Sequence, residues 1–351
     1  MAYTTIDDPT IYFVTVIYTG NDTARTITTG LETTDWIWNK RTDSAGSHLL
    51  YDKVRGINID LNSNSTEADE TQTGTVTAFG TNSFSLGTHG GTNASGETKV
   101  NWCWSAGGTT GSSNSNGSIT STVSANTTAG FSIVTYTGTG SAATVGHGLG
   151  VAPSFIIVKQ RDSANDWNVF HHRNTSAPET DFLVLNETDA TSDASNRWND
   201  TMPNATNVFL GDSNRVNNNG NSYVMYTFTQ KKGYSKFGSF TGNGQGSGDG
   251  VFIYTGFKPA FIMFKRTDDA GRNWWIFDNK RDPDNDVTLE ILANTSDSED
   301  STGSANLDFL SNGVKLRTTQ TDLNGSGGTI LYMAFAESPF VNSKGVPTNA
   351  R

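Results

Sequence analysis

The stretch that decides the fold is NASGETKVNWCWSAGG, from Asn93 to Gly108, which sets the only cysteine between two tryptophans. Its pattern returns as NNNGNSYVMYTF from Asn217 and as NGSGGTILYMAF from Asn324. Each copy reads Asn, two residues, Gly, one residue, Ser or Thr, and then an apolar run. Because Asn and Gly tolerate left-handed backbone angles, each copy is predicted to turn there and enter a strand.

Alternate positions of the three predicted strands carry bulky side chains. These positions are Val100, Trp102 and Trp104, then Val224, Tyr226 and Phe228, then Leu331, Met333 and Phe335. Because side chains alternate between the two faces of a strand, both tryptophans should point into a core and Cys103 the other way. A sugar-stacking platform is the alternative, but Met333 and Phe335 at the equivalent positions favour a core. Thr227 and Ala334 at the equivalents of Cys103 argue against a required thiol.

Length, charge and cysteine content limit the classes of protein. A chain of 351 residues predicts two or three domains, and its 37 glycines and alternating apolar residues predict strands joined by polar turns. The net charge of -11 argues against binding to nucleic acid or to an anionic membrane. One cysteine excludes an internal disulfide, and the five histidines lack zinc-type spacing, so no cofactor or metal is expected. The start lacks the pattern of a secretion signal, and no apolar run is long enough to span a membrane.

Two further blocks agree among the three copies. An aromatic-Thr-Gly motif starts at Tyr18, Tyr136 and Phe240 and predicts a hairpin with a variable tip. Next, a strand is followed by a turn that contains a lysine and, three residues later, an aspartate. The pairs are Lys40 and Asp43, Lys159 and Asp162, and Lys265 and Asp268. Such a Lys/Arg/Asp turn could clamp a ligand, but a local pair between a basic and an acidic residue that fixes the shape of the turn is the favoured interpretation.

The predicted fold is therefore all-β, with three tandem β-sandwich-like repeats of about 100 residues each, and each repeat is expected to close its own core through the bulky strand face. The boundaries are an N-terminal arm 1–11, repeat 1 at 12–107, a Gly/Ser/Thr/Asn-rich linker 108–130, repeat 2 at 131–233, repeat 3 at 234–340 and a C-terminal arm 341–351. Repeats 2 and 3 should pack as a rigid pair, with repeat 1 apart. The arms are expected to make assembly contacts.

No group of residues predicts catalysis or metal binding. The carboxylates of Glu67, Asp69 and Glu70 are interpreted as a solvated acidic loop. His171 and His172 have Asp52-Lys53 and Asp278-Asn279 at the equivalent positions, so no histidine recurs as a base. The alternating carboxylates Asp282, Asp284 and Asp286 lack the glycine and the terminal glutamate of a calcium loop and are interpreted as a turn. We therefore expect no enzyme activity and no catalytic, cofactor-binding or metal-binding residue.

The segments FSIVTYTGTGSAATVGHGLGVAPSFIIVKQR, GYSKFGSFTGNGQGSGDGVFIYTGFKPAFIMFKRTD, GGTILYMAFAESPF and VNSKGVPTNAR carry a resemblance. They resemble a repeat family of virion structural proteins in marine tailed bacteriophages, described as tail-fibre-like or as domains of unknown function. The resemblance covers nearly the whole chain and implies a virion protein that is made in the cytoplasm of the infected bacterium. It carries over no functional residue.

From this resemblance we expect a tail fibre or other surface appendage that assembles as a homo-oligomer with other virion proteins. Its loops would contact a host-surface glycan or protein, without nucleic acid binding or membrane insertion. The alternative is a capsid decoration (cement) protein that binds the head lattice through its terminal arms. A polysaccharide-degrading appendage is a distant third.

Overall fold

The computed structural model describes residues 2–302 and 305–348, and over these ranges the chain is mostly β-structure. The all-β prediction is confirmed. Helices in these ranges are single turns: a 3₁₀ turn at Pro9–Ile11, and α1 (Gly90–Asn93), α2 (Ser195–Trp198), α3 (Asn214–Asn217) and α4 (Thr321–Asn324). No helix among the described residues is long and apolar enough to cross a membrane.

The strands are numbered in chain order. The first nine are β1 (Phe13–Thr19), β2 (Arg25–Thr28), β3 (Trp36–Arg41), β4 (Leu49–Asp52), β5 (Ile59–Asp60), β6 (Glu70–Thr71), β7 (Val76–Gly80), β8 (Ser83–Leu86) and β9 (Thr98–Trp104). The next ten are β10 (Ser112–Asn114), β11 (Ser121–Asn126), β12 (Phe131–Thr137), β13 (Ala143–Gly146), β14 (Phe155–Gln160), β15 (Asn168–His171), β16 (Asp181–Val184), β17 (Ser192–Asp193), β18 (Asn207–Leu210) and β19 (Ser222–Phe228). The last eight are β20 (Ser235–Thr241), β21 (Phe252–Tyr254), β22 (Phe257–Arg266), β23 (Trp274–Asp278), β24 (Ile291–Leu292), β25 (Leu307–Leu310), β26 (Gly313–Leu316) and β27 (Thr329–Pro339).

Three main sheets share one antiparallel strand order. The orders are β1-β9-β3-β4 in the first, β12-β19-β14-β15 within the second and β20-β27-β22-β23 within the third. A smaller sheet covers one face of each: β2-β8-β7, β13-β18 and β21-β26-β25. Each main sheet encloses a separate apolar cluster with its small sheet. We call these two-layered units sandwich 1, sandwich 2 and sandwich 3.

The other faces of the three main sheets meet in one central core. Trp102, Tyr226 and Met333 all belong to this cluster. Trp36 of sandwich 1 stacks on Tyr226 of sandwich 2 with ring centroids 4.6 Å apart, and Phe13 stacks on Phe335 of sandwich 3 at 5.2 Å. The predicted burial of the bulky strand face is confirmed. The prediction that each repeat closes its own core through this face is wrong, because the three sheets share it and the opposite face closes each sandwich.

The predicted linker 108–130 and the predicted separation of repeat 1 need correction. Within the linker, β10 and β11 extend the second main sheet beyond β12. The polar composition predicted a connector, but Val123 pairs with Val134 in an antiparallel ladder and Ile119 is buried. Sandwich 1 does not lie apart, since its tryptophans form part of the central core.

The N-terminal arm lies on the chain itself. Ile6 is buried in the central core and Thr4 is buried beside it. Asp7 accepts hydrogen bonds from the backbone N–H and the hydroxyl of Ser343 in the C-terminal arm. The prediction that the arms make assembly contacts now concerns residues 341–348 and the exposed residues of the N-terminal arm. Residues 1 and 349–351 lie outside the described residues.

The repeated Asn/Gly motif ties a hairpin tip to the strand that follows. The asparagine ends a single-turn helix, and in sandwich 2 Asn217 Nδ2 donates to the carbonyls of Ser141 at 2.6 Å and Gly211 at 2.9 Å. The motif glycine adopts a positive φ, +77° at Gly220, which confirms the predicted turn. A Cβ on Gly138 of the aromatic-Thr-Gly motif would lie 2.3 Å from the carbonyl oxygen of Asn218. The aromatic-Thr-Gly motif and the Asn/Gly motif thus occur together because the backbone of the hairpin tip packs directly against the backbone of the Asn/Gly turn.

Candidate functional site

The opening stretch is structural. Trp102 and Trp104 have no exposed surface, which confirms the core interpretation over a sugar platform. Cys103 is equally buried, but in the apolar cluster between the two layers of sandwich 1. Burial raises the pKa of its thiol, because a thiolate would lose its hydration there.

The buried lysines of the three predicted turns donate to backbone carbonyls and not to the aspartates of those turns. Lys40, Lys159 and Lys265 have an exposure of 1% or less. The predicted local ion pair forms instead from the next residue, Arg41 with Asp43 at 2.8 Å and Arg266 with Asp268 at 3.0 Å. In the second turn Gln160 donates to Asp162. The local ion-pair interpretation is thus confirmed in the first and third turns, where arginine is the basic member, and in the second turn Gln160 takes the place of the arginine.

Each buried lysine instead donates to a loop of another sandwich. Lys40 Nζ lies 3.2 Å from the carbonyl of Ser296, Lys159 Nζ 3.0 Å from that of Thr66, and Lys265 Nζ 3.2 Å from that of Thr188. Each also donates to a carbonyl near its own turn, at Gly46, Gln160 and Arg272. Sandwich 1 therefore contacts 3, sandwich 2 contacts 1, and sandwich 3 contacts 2, which closes a ring.

A second set of donors follows the same cyclic order. Trp167 Nε1 donates to the carbonyl of Asn62 at 2.8 Å, and Trp274 Nε1 to that of Val184 at 2.9 Å. His48 occupies the corresponding place in sandwich 1, with Nε2 3.0 Å from the carbonyl of Leu292. Because Trp38 Nε1 donates to His48 Nδ1, the proton of the neutral ring lies on Nε2 and is donated to Leu292. Burial lowers the pKa of His48 and keeps this neutral form.

The buried lysines predict a rise in stability above neutral pH. Burial lowers the pKa of all three from 10.5 to about 8. Between these values the unfolded chain binds more protons than the folded chain, so the free energy of unfolding rises with pH. Burial also raises the pKa of the single Cys103 thiol, which opposes part of this rise above its ordinary value of 9.0, and the pKa of Tyr226 and other tyrosines, which reverses the trend above their ordinary value of 10.0.

We therefore expect the urea midpoint to increase between about pH 8 and about pH 9.5. In Lys159→Met the increase should be smaller, because one of the three titrating groups is gone. A wild-type midpoint that is flat or falls over this range would contradict the assignment.

The acidic loop is only partly solvated. Asp69 accepts from Arg55 Nη1 at 3.0 Å and from Arg161 Nε of sandwich 2 at 2.6 Å. Glu67 accepts from Asn62, and Glu70 is exposed. The interpretation as a solvated loop is therefore wrong for Asp69, which joins two sandwiches.

Two buried arginine–aspartate pairs lie at the edge of the central core. Arg55 Nε is 2.5 Å from Asp52 Oδ2, which also accepts from the hydroxyl of Tyr226 at 2.7 Å. In the same arrangement Arg281 Nε is 2.6 Å from Asp278 Oδ2, and Trp102 Nε1 donates to this oxygen at 3.0 Å. The arginines were missed in the sequence. The spacing D-x-x-R at both positions was the available signal.

The remaining predicted positions hold no assembled chemical site. His171 is buried, Nε2 is 3.3 Å from the carbonyl of Tyr332, and burial lowers its pKa to about 3. His172 Nε2 lies 2.9 Å from the carbonyl of Phe237. Asp282 accepts from the backbone N–H of Thr288, and Asp286 from Asn306. Residues 2–302 and 305–348 contain no group of three or more His, Cys, Asp or Glu that could hold a metal.

An open polar cleft of about 520 Å³ lies on sandwich 3. Lys258, Asn279 and Glu337 line it, together with Asp284 and the β25–β26 turn. Lys258 Nζ and Asn279 Nδ2 both lie 2.7 Å from Glu337 Oε2. A fixed cation, carboxylate and amide can bind hydroxyl and carboxylate groups of a ligand.

Two large aromatic residues are exposed beside this cleft. Phe252 is 43% and Tyr254 48% exposed, on the edge strand β21. When the three aromatic-Thr-Gly blocks are aligned, Phe252 corresponds to Thr26 in sandwich 1 and Thr144 in sandwich 2. Tyr254 corresponds to Thr28 and Gly146. Sequence reasoning missed these aromatics, although comparison of the three blocks contained the signal. Cleft and aromatics together form the candidate functional site.

These features define an all-β protein in which three β-sandwiches are locked around one core and one sandwich carries an exposed aromatic and polar surface. The chain belongs to the family described as a domain of unknown function (DUF7483), whose model matches residues 8–339. A comparison with curated proteins found no match.

Proposed function

We propose that this protein is a non-enzymatic structural component of a bacteriophage virion, built from three tandem repeats of one unit. It forms part of a tail fibre or other surface appendage, assembles with other virion proteins as a homo-oligomer, and presents loops to the host surface. The resemblance of the sequence to marine phage proteins motivates the choice of particle.

The observation that carries the proposal is the ring of contacts between sandwiches. Lys40, Lys159 and Lys265 tie each sandwich to another, and the core inside the ring contains side chains of all three. A body of this kind is rigid, and its loops can vary without disturbing the core. Rigidity and variable loops suit a display role on the outside of a particle.

The capsid decoration alternative depends on arms that are free to bind the head lattice. The burial of Thr4 and Ile6 against the chain itself leaves less of the first arm for that role. The appendage is therefore the better supported of the two proposals.

Cryo-electron microscopy of virions from the infected bacterium that makes this chain tests the proposal. A few copies on the tail are expected. Hundreds of copies over the head lattice would replace the appendage by the decoration protein, and virions without the chain would overturn both. Size-exclusion chromatography with multi-angle light scattering of the purified chain tests the homo-oligomer, and a monomer at micromolar concentration would contradict it.

A further inference from the structure

We propose that the outer surface of sandwich 3 binds an acidic polysaccharide, whose pyranose rings stack on Phe252 and Tyr254 while its polar groups enter the neighbouring cleft. This inference deepens the host-contact part of the proposed function and rests on it. The occupant is a saccharide because two exposed aromatic rings and a cleft lined by hydrogen-bonding groups lie on the same sandwich, and a sugar can stack on the first and hydrogen-bond to the second.

The aromatic part of the surface is held in place by its neighbours. Ile253, between the two exposed rings, is buried in sandwich 3. The ring of Phe252 lies over Gly313 of β26, where a Cβ would come within 2.9 Å of the ring. Tyr3 of the N-terminal arm supports Tyr254, because its hydroxyl donates to the carbonyl of Gly256 and lies 3.3 Å from the hydroxyl of Tyr254. Two fixed rings can stack on a ligand at a low cost in side-chain entropy.

The equivalent strands of the other sandwiches show that the fold does not need these rings. Thr26 lies in sandwich 1 where Phe252 lies in sandwich 3, and Ile27 is buried as Ile253 is. The glycine after each strand has the same conformation, with φ of +85° at Gly30 and +84° at Gly256. Strand, turn and burial are therefore the same with threonine and with aromatic residues. Exposed rings at two successive outward positions need another explanation, which a ligand supplies.

The cleft adjoins the rings through the β25–β26 turn. Ser311 of this turn lines the cleft, and Gly313 at its other side lies beneath Phe252. The cleft offers the amide of Asn279 and the paired charges of Lys258 and Glu337. A saccharide that spans both parts would stack one ring and place the hydroxyl groups of the next in the cleft.

Lysines around the rings favour an acidic ligand. Lys236 Nζ lies 5.1 Å from the centroid of Tyr254, and Lys232 Nζ lies 4.4 Å from that of Tyr3. Lys315 is the ladder partner of Phe252. The carboxylates of Asp284 and Glu337 line the neighbouring cleft, so the acidic groups of the ligand would lie beside the lysines around the rings and its hydroxyl groups in the cleft.

The test is binding of the purified full chain to an array of acidic and neutral bacterial polysaccharides, followed by calorimetry with the best binder. Wild type should retain acidic members of the array, with an affinity that falls as salt is added. The variant Phe252→Thr/Tyr254→Thr installs the threonines that sandwich 1 carries and should lose affinity by about tenfold or more. Thr26→Ala/Thr28→Ala is the matched control and should bind as wild type does.

Thermal unfolding of both variants checks that the fold is intact, and an unchanged Tm is expected. Binding to no polysaccharide, binding to neutral ones alone, or equal binding by the Phe252→Thr/Tyr254→Thr variant would each overturn the inference. The virion experiment is independent of this one. A chain found on tails that binds no polysaccharide rejects the inference and leaves the proposed function standing.

Discussion

Trp102→Ala should lower the free energy of unfolding by about 3 to 5 kcal/mol, the cost of removing a fully buried tryptophan from a well-packed core. Its ring centroid lies 6.1 Å from that of Trp38 and 5.7 Å from that of Phe261, both in edge-to-face contact. The variant also removes the indole donor to Asp278 of sandwich 3. The contacts with Phe261 and Asp278 cross the boundary to sandwich 3, so sandwich 3 is weakened as well as sandwich 1.

Urea unfolding followed by circular dichroism and by tryptophan fluorescence measures the effect. Because the central core is shared, the two probes should shift together in Trp102→Ala. Trp102→Phe keeps a ring and loses the indole N–H, so its loss should fall between those of wild type and Trp102→Ala. A loss below about 1 kcal/mol would contradict the burial of Trp102, and separate transitions in which sandwich 1 alone shifts would contradict the shared core.

The period-two pattern predicted which face of each strand is buried, because burial requires only that alternate side chains be apolar. It could not predict what covers that face. Trp102 could pack on its own repeat or on the next, and both arrangements give the same pattern. The partner sheet is chosen by contacts over 100 residues apart, such as Phe13 with Phe335, which a local pattern does not contain.

Local reasoning failed in a similar way at polar residues. Lys159 and Asp162 lie three residues apart, so a turn-closing pair was the nearest explanation, but the lysine donates to Thr66, 93 positions away. The composition of segment 108–130 predicts a linker, but composition does not show that β12 offers a partner strand. Val123 pairs with Val134 of β12, so part of this segment forms a strand. In contrast, the glycine and asparagine turns were predictable because their reason is the local backbone angle.

The candidate site was predictable only by comparing the three copies with one another. Phe252 and Tyr254 are unremarkable within VFIYTGF, since alternating aromatics are common in strands. They stand out against Thr26 and Thr28, which occupy the same outward positions. Because threonine at these positions forms the same strand in sandwich 1, the aromatic residues of sandwich 3 are not needed for folding and indicate another role.

Arg55→Met should lower the free energy of unfolding by about 3 to 5 kcal/mol, because it removes one partner of a buried ion pair and leaves the other charged. The guanidinium is fully buried and donates to Asp52 at 2.5 Å, to Asp69 at 3.0 Å and to the carbonyl of Leu50 at 2.7 Å. Methionine replaces the aliphatic part of the arginine side chain and has no donor, so Asp52 would keep only the hydroxyl of Tyr226 and two backbone N–H groups.

Arg41→Met is the matched control, because Arg41 pairs with Asp43 and Glu97 where all three side chains are partly exposed. It should cost about 1 kcal/mol or less, as ion pairs near the surface do. Urea unfolding at neutral pH measures both variants. The double variant Arg55→Met/Asp52→Asn should recover part of the loss, since the uncompensated carboxylate is gone. Equal losses in Arg55→Met and Arg41→Met would contradict the role of the buried pair, because the difference between them depends on the burial of Arg55.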